Sequence, residues 1–280
     1  MKNWIIGAFL VLAVAAAYYY FAIYQQAGPE VVIKAPEAAE EAVTVPEEPT
    51  KQPGLTTTSE TGLPPVTPPE TEQIPLPMLT ESDGVALETL GNLVSESDTA
   101  RFFVSENVIP RMVATVDLLG SRKIPGAVQA VHGPETPFVA VANDQPETIV
   151  RNEEGDEIPQ FYIDPSNYER YTPYVEMLEG AETAQLVESY RSHYPLFQEA
   201  YRQMGYSEGD FNVRLAEMIE ELLSTPDVSG PLELVKPEAF YLFADPRLES
   251  LSAGQKILLR MGSENRARVK SKLMEIRDAL

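Results

Sequence analysis

Residues 4–24 run for 21 positions without a charged side chain. A helix rises about 1.5 Å per residue, so the run covers roughly 30 Å, the thickness of a bilayer's hydrocarbon core. Trp4 stands at one end and Tyr18, Tyr19, Tyr20 and Tyr24 at the other, where aromatic belts mark the two interfaces. Lys2 precedes the run, and Glu30, Glu37, Glu40 and Glu41 follow it. That asymmetry predicts a cytoplasmic amino terminus and an exported remainder. Ala13-Val14-Ala15 and Ala15-Ala16-Ala17 also offer small residues at the cleavage spacing of an export signal, yet the apolar part of such a signal is typically about 7–15 residues. The length favours an uncleaved anchor within residues 1–27, and both readings export the rest of the chain.

Residues 28–80 hold 11 prolines and nine glutamates against Lys34 and Lys51. Proline lacks the backbone donor that helix and sheet use, and its fixed φ favours extended polyproline II. The segment is expected to be a disordered spacer, reaching roughly 160 Å at about 3.1 Å per residue.

Residues 81–280 are enough for one domain with its own core. The chain has no cysteine and two histidines, His132 and His193. This removes disulfides, thiolate metal clusters and cysteine nucleophiles, and leaves too few imidazoles for a three-histidine zinc site. A formal charge of -22 repels phosphate backbones and argues against nucleic acid as a partner. The charge is uneven: 81–246 carry 30 acids and 10 bases, whereas 247–280 carry 8 bases and 4 acids. Arg260, Arg266, Arg268, Lys270, Lys272 and Arg277 make this the basic end, read as a solvated face that balances an acidic body, with contact to an anionic surface as the alternative.

Helical periodicity dominates the domain. Phe211, Leu215, Met218 and Leu222 place one stripe on a helix that stops before Pro226, and Val269, Leu273, Ile276 and Leu280 repeat the spacing in a last helix capped by Ser263. Leu186, Tyr190, Tyr194, Phe197, Tyr201 and Met204 line one face of a segment that Pro195 should kink or break. Further helices are expected near 84–94, 99–106, 108–119, 167–179 and 252–261. Extended stretches are few: 138–141, 148–150 and 161–163, punctuated by turn residues. The fold class is mainly α, a multi-helix domain with a small β hairpin or meander insertion, preceded by one transmembrane helix and the proline-rich linker.

Four strings then stand out in order: Leu76-Pro77-Met78-Leu79-Thr80-Glu81-Ser82-Asp83, Asn167-Tyr168-Glu169-Arg170-Tyr171, Tyr194-Pro195-Leu196-Phe197-Gln198-Glu199-Ala200-Tyr201, and Phe243-Ala244-Asp245-Pro246-Arg247-Leu248-Glu249, which leads into Ser252-Ala253-Gly254-Gln255-Lys256 and Leu258-Leu259-Arg260-Met261-Gly262. Together they resemble an uncharacterised Gram-negative bacterial envelope family, domain of unknown function 3014, over residues 76–280. The resemblance implies an anchored envelope protein with the layout derived above, and it transfers no catalytic or binding residue. One departure is that Leu118-Leu119-Gly120 follows Val116-Asp117 where the family is expected to read Asn-Leu-Pro.

Several constellations imitate active sites. Gly205-Tyr206-Ser207-Glu208-Gly209 fits the G-x-S-x-G elbow, which needs a strand-to-helix turn and a following histidine. Here it falls between two helices and His193 precedes it, so Ser207 is expected to cap the next helix with Asp210 three residues on. Glu153, Glu154, Asp156 and Glu157 surround Gly155 without the EF-hand spacing and read as a solvated turn. The adjacent Glu220 and Glu221 point about 100° apart on a helix, which does not make a carboxylate pair.

Aromatic and cationic groups concentrate in Tyr168, Arg170, Tyr171, Tyr190, Arg191, His193, Tyr194, Tyr201 and Arg202. One reading is a binding surface for an anionic peptide or glycan, in which tyrosine gives rigid contact area and arginine a bidentate donor. The other is core tyrosines with arginines paired to the many acids. No catalytic, cofactor or metal residue is assigned. The expected function is an inner-membrane-anchored periplasmic interaction or structural protein of the cell envelope, with the inner membrane held through residues 4–24 and an envelope protein or the cell wall as partner. The alternative is an envelope enzyme acting on cell-wall glycan or peptide.

Overall fold

Helices with apolar positions three and four apart bury those positions against one another, and this builds most of the domain. The computed structural model describes residues 76–280 except 147 and 153. The expected anchor at 4–24 and the spacer up to residue 75 lie outside the described residues. Among those described, no helix is long and apolar enough to cross a membrane. Leu76 and Leu79 pack on the core and a 3-10 turn spans Leu79–Glu81, so the folded part takes in residues just before 81.

Helices α1 (Asp83–Leu93), α2 (Glu96–Phe102) and α3 (Val108–Leu119) come first. Asp83, at the head of α1, accepts the N–H groups of Asn107 and Val108 at 2.8 Å each. It thereby caps α3 from a distance, and Asn107 adopts φ 52° before that helix, a region asparagine tolerates. Helices α4 (Ser166–Glu169), α5 (Thr172–Gly180), α6 (Thr183–Gln203) and α7 (Phe211–Leu223) follow. The chain ends with α8 (Pro246–Glu249), α9 (Ala253–Arg260) and α10 (Gly262–Ala279). Helix α10 packs against α5, α6, α7 and α9, and α3 packs against α6 and α7.

The expected stripe on α7 is buried through Phe211, Leu215, Met218 and Leu222, and that on α10 through Val269, Leu273 and Ile276. Pro195 does not break α6, which runs as one helix from Thr183 to Gln203. The proline is exposed, and the rings of Tyr190, Phe197 and Tyr201 on the opposite side are buried, so packing outweighs one lost hydrogen bond. Ser263 does not cap α10: the helix starts at Gly262, after Met261, with no side-chain cap. The Leu118-Leu119-Gly120 turn is closed by Ser121, whose hydroxyl donates to Leu118 O at 2.6 Å and whose carbonyl accepts Ala253 N–H at 2.7 Å.

A four-stranded antiparallel sheet, ordered β1-β2-β3-β4, covers one end. Its strands are β1 (Ala140–Ala142), β2 (Gln160–Ile163), β3 (Glu233–Val235) and β4 (Leu242–Phe243). Val141 stands opposite Tyr162, and Phe161 opposite Leu234. The sheet is therefore not a local insertion, because half of it comes from beyond α7. Residues 148–150 form no strand, since the Gln160 side chain takes up their backbone groups at 2.9 Å through Val150 N and Thr148 O. Ile163, Leu232, Leu234, Phe243 and Leu259 make a small second core beneath the sheet.

Candidate functional site

The segment from Phe243 to Gly262 is a chain of local locks. Asp245 caps α8 by accepting Arg247 N–H at 2.8 Å. Glu249 accepts the N–H of Phe243 at 2.9 Å and the ammonium of Lys256 at 2.8 Å. Ser252 and Gln255 form a capping box at the start of α9, and Gln255 also ties that helix to Glu221 O and Ser224 Oγ of the α7 end. Arg260 lies over the Phe243 ring at 5.0 Å and donates to Tyr241 O. These bonds fix the α9–α10 junction against the sheet.

The basic end is not a solvated face. Arg260 at the end of α9 is buried against Phe243, and Arg266 and Lys272 are buried because α10 is enclosed by α5, α6 and α7 and its cations serve loop carbonyls. Lys272 donates to Ala181 O at 2.7 Å, Lys270 to Thr225 O, and Arg268 pairs with Glu179. Only Arg277, beside Asp278, keeps the open setting expected of the group.

Between the sheet and the α9–α10 junction lies a groove of about 850 Å³. Val141, Tyr162 and Ile163 line it from the sheet, Val228 and Leu232 from the loop after α7, and Arg266 from α10. Tyr168 forms a wall between this groove and a smaller cavity of about 280 Å³ that reaches Asn265 and Arg268. Burial raises the Tyr168 phenol pKa above its ordinary value, against the opposing Arg266 charge. The ring closes on Gly262, and Asn265 holds the Tyr168 carbonyl at 2.9 Å. The Arg266 side chain is 4% exposed, yet its Nε makes no hydrogen bond. Nη2 reaches Val228 O at a long 3.4 Å, and Asp227 Oδ1 stands 3.4 Å from Nε. The ammonium of Lys270 lies 3.5 Å from the same oxygen. A buried cation with loose partners, set in apolar walls, has the chemistry to pair with an anionic group.

The nine aromatic and cationic residues picked from the sequence do not form one surface. Tyr168 belongs to the groove. Arg170 clamps Thr136 and Asn167, and Tyr171 is core. Tyr190, His193 and Tyr201 are buried along α6, and Tyr190 donates to Asn212 Oδ1 at 2.6 Å. Burial, and then the hydrogen bond from the Tyr194 hydroxyl to Asp210 Oδ1 at 2.8 Å, push the Tyr194 phenol pKa up to about 12. Arg191 donates to the carbonyls of Ala279 and Leu280, and Arg202 is exposed. The site residues that sequence order hid are Asp227 and the sheet walls, which meet Arg266 only through the fold.

Ser207 is exposed in the turn between α6 and α7 and caps nothing. The cap of α7 is Asp210, which accepts Asn212 N–H at 2.8 Å. Tyr206, next to Ser207, stacks on Tyr201 at 4.4 Å and donates to Asp117, so the turn is anchored by its tyrosine. At the acidic turn, Asn152 Oδ1 accepts Asp156 N–H and Arg151 pairs with Glu157, while residue 153 lies outside the described residues.

Residues 108–277 match the model of a family described as Protein of unknown function (DUF3014). No curated protein and no solved structure matches the chain.

Proposed function

The chain belongs to the DUF3014 family, and we propose that it is a binding module of the cell envelope, held at the inner membrane by residues 4–24 and set off from it by the proline-rich spacer, with the helical domain in the periplasm. The observation that carries the binding reading is the groove that Arg266 helps to line. Its volume, about 850 Å³, is in the range of sites that enclose a ligand of several hundred daltons or a short peptide segment. Val141, Val228 and Leu232 offer apolar area, which supplies affinity on burial, and a single cation fixes orientation.

The test uses the full anchored chain in envelope fractions. A photo-crosslinking residue in place of Val141 or Ser229, both in the groove, is expected to give a discrete adduct. The same residue at Val213, exposed on α7 and outside the groove, is expected to give none. Adducts of equal strength at all three positions, or at none, would overturn the reading. A reporter enzyme active only outside the cytoplasm, fused after residue 80, is expected to be active.

A further inference from the structure

We infer that the groove takes an extended segment of a partner protein in which a carboxylate side chain has apolar residues two positions to either side of it, on the same face, and that this carboxylate takes the place of Asp227 beside Arg266. The inference rests on the binding-module reading and names its ligand class.

Two cations converge on one oxygen. Arg266 Nε and Lys270 Nζ lie 3.4 and 3.5 Å from Asp227 Oδ1, well beyond the roughly 2.7–2.9 Å of a good charge-assisted bond. Asp227 is 83% exposed at its side chain, so water competes for it throughout. Arg266, by contrast, is buried with Nε unbonded. Asp227 is thus a loose internal stand-in, and a carboxylate seated deeper would satisfy the guanidinium better. The residue after it, Val228, lines the groove, so the chain itself displays the acidic-then-apolar pattern on this surface.

The extended form of the ligand follows from the sheet edge. At one outer strand, β4, the outward N–H of Phe243 is taken up by Glu249 at 2.9 Å. At the other, β1, Asn143 N–H and Val139 O point to the β2 side, which turns the backbone groups of Ala140 and Ala142 outward. The described strands place no partner there. Val141 on that strand is 48% exposed and Val139 just before it is 44% exposed, and Val141 also lines the groove. An open strand edge with apolar side chains accepts an added strand. The rest of the acidic chain repels an acidic segment, so this corner, where Arg266 and Lys270 face the Asp227 carboxylate only at long range, is where charge complementarity admits one.

The probes are two labelled synthetic peptides, acetyl-Val-Thr-Glu-Thr-Val-Thr-amide and its counterpart with Gln for Glu, titrated onto the full chain in lipid nanodiscs; in extended form Val, Glu and Val share one face. The Glu peptide is expected to bind roughly tenfold more tightly than the Gln peptide. Asp227→Asn removes the internal competitor and is expected to tighten the Glu peptide about threefold. Arg266→Gln removes the buried charge and is expected to abolish the Glu over Gln preference while circular dichroism stays native, whereas Arg266→Lys keeps a cation without the planar fork and is expected to keep part of it. Equal binding of both peptides, binding of neither, or weaker binding in Asp227→Asn would overturn the carboxylate inference. If groove crosslinks form as described above while the peptides fail to discriminate, the binding-module reading stands and the ligand class falls.

Discussion

A Cβ placed on Gly262 would stand 2.7 Å from Tyr168 Cγ, and the glycine backbone has φ +84°. Both facts require glycine: the first for close approach of a ring, the second for a left-handed turn between α9 and α10. Gly262→Ala is expected to cost about 2–4 kcal/mol, combining overpacking with backbone strain. A thermal melt should fall by roughly 5–15 °C, followed by circular dichroism because the one tryptophan, Trp4, lies outside the domain. Gly84, with nothing within 4 Å of its added Cβ, serves as the control. Gly84→Ala should raise stability by about 0.5–1 kcal/mol, and equal losses at both positions would refute the account.

Asp117 joins α3 to α7. Arg214 Nε donates to its carboxylate and Nη2 to its carbonyl, each at 2.7 Å, and Tyr206 donates to the other carboxylate oxygen at 3.1 Å. Asp117→Ala is expected to cost about 2 kcal/mol in urea unfolding, less than a fully buried pair because Arg214 retains access to water and to Glu217. Arg214→Met in that background should recover part of the loss, since the stranded charge is then gone. A second loss that simply adds to the first would show that the two side chains do not act as a pair.

The turn at 205–210 separates two roles. Asp210→Ala removes the α7 cap and a partner of Tyr194, and should cost about 1–2 kcal/mol. Ser207→Ala should stay within about 0.5 kcal/mol, as at other exposed positions. A serine-directed fluorophosphonate is expected to leave the domain unlabelled, and labelling lost in Ser207→Ala would restore a nucleophile reading.

Long helices were legible because their periodicity persists over several turns: the α7 stripe from Phe211 to Leu222 and the α10 stripe from Val269 to Ile276 are both buried as spaced. Strands β3 and β4 were not, because three and two residues between Pro231 and Pro246 carry no measurable alternation. The buried cations were misread for a related reason. Charge count says nothing of enclosure, and α10 is surrounded by helices whose loop ends present Ala181 O and Thr225 O to Lys272 and Lys270. Tyr168, Asp227 and Arg266 come from three distant segments, so their meeting is a property of the packing that no spacing rule contains. Ser207 lost its role to Asp210 because the turn holds two cap-type residues, and Tyr206 docking on Asp117 decides which one meets the helix.

His193 is buried on α6 with Ser192 Oγ 3.1 Å from Nδ1. Burial disfavours the imidazolium and brings the pKa down to about 4 from the ordinary 6.5. Above pH 6.5 the ring is neutral in both folded and unfolded chains, so stability is unaffected. Between 6.5 and 4 the unfolded chain takes up a proton that the folded chain refuses, and stability falls as pH falls; below 4 both states are protonated and the loss levels off. The expected loss between pH 7 and pH 5 is about 2 kcal/mol. Asp164, Glu179, Asp210 and Asp245 have pKa values below the ordinary carboxylate range, held there chiefly by hydrogen bonds from Ser166, Arg268, Tyr194 and Arg247. Their contributions are lost in a lower window, as pH drops through and below that range, and leave the interval near pH 5 to 6.5 mainly to His193. Urea midpoints measured at both pH values should shift in the native chain and hold nearly constant in His193→Gln. A midpoint shift of the same size in His193→Gln would assign the acid sensitivity to another group.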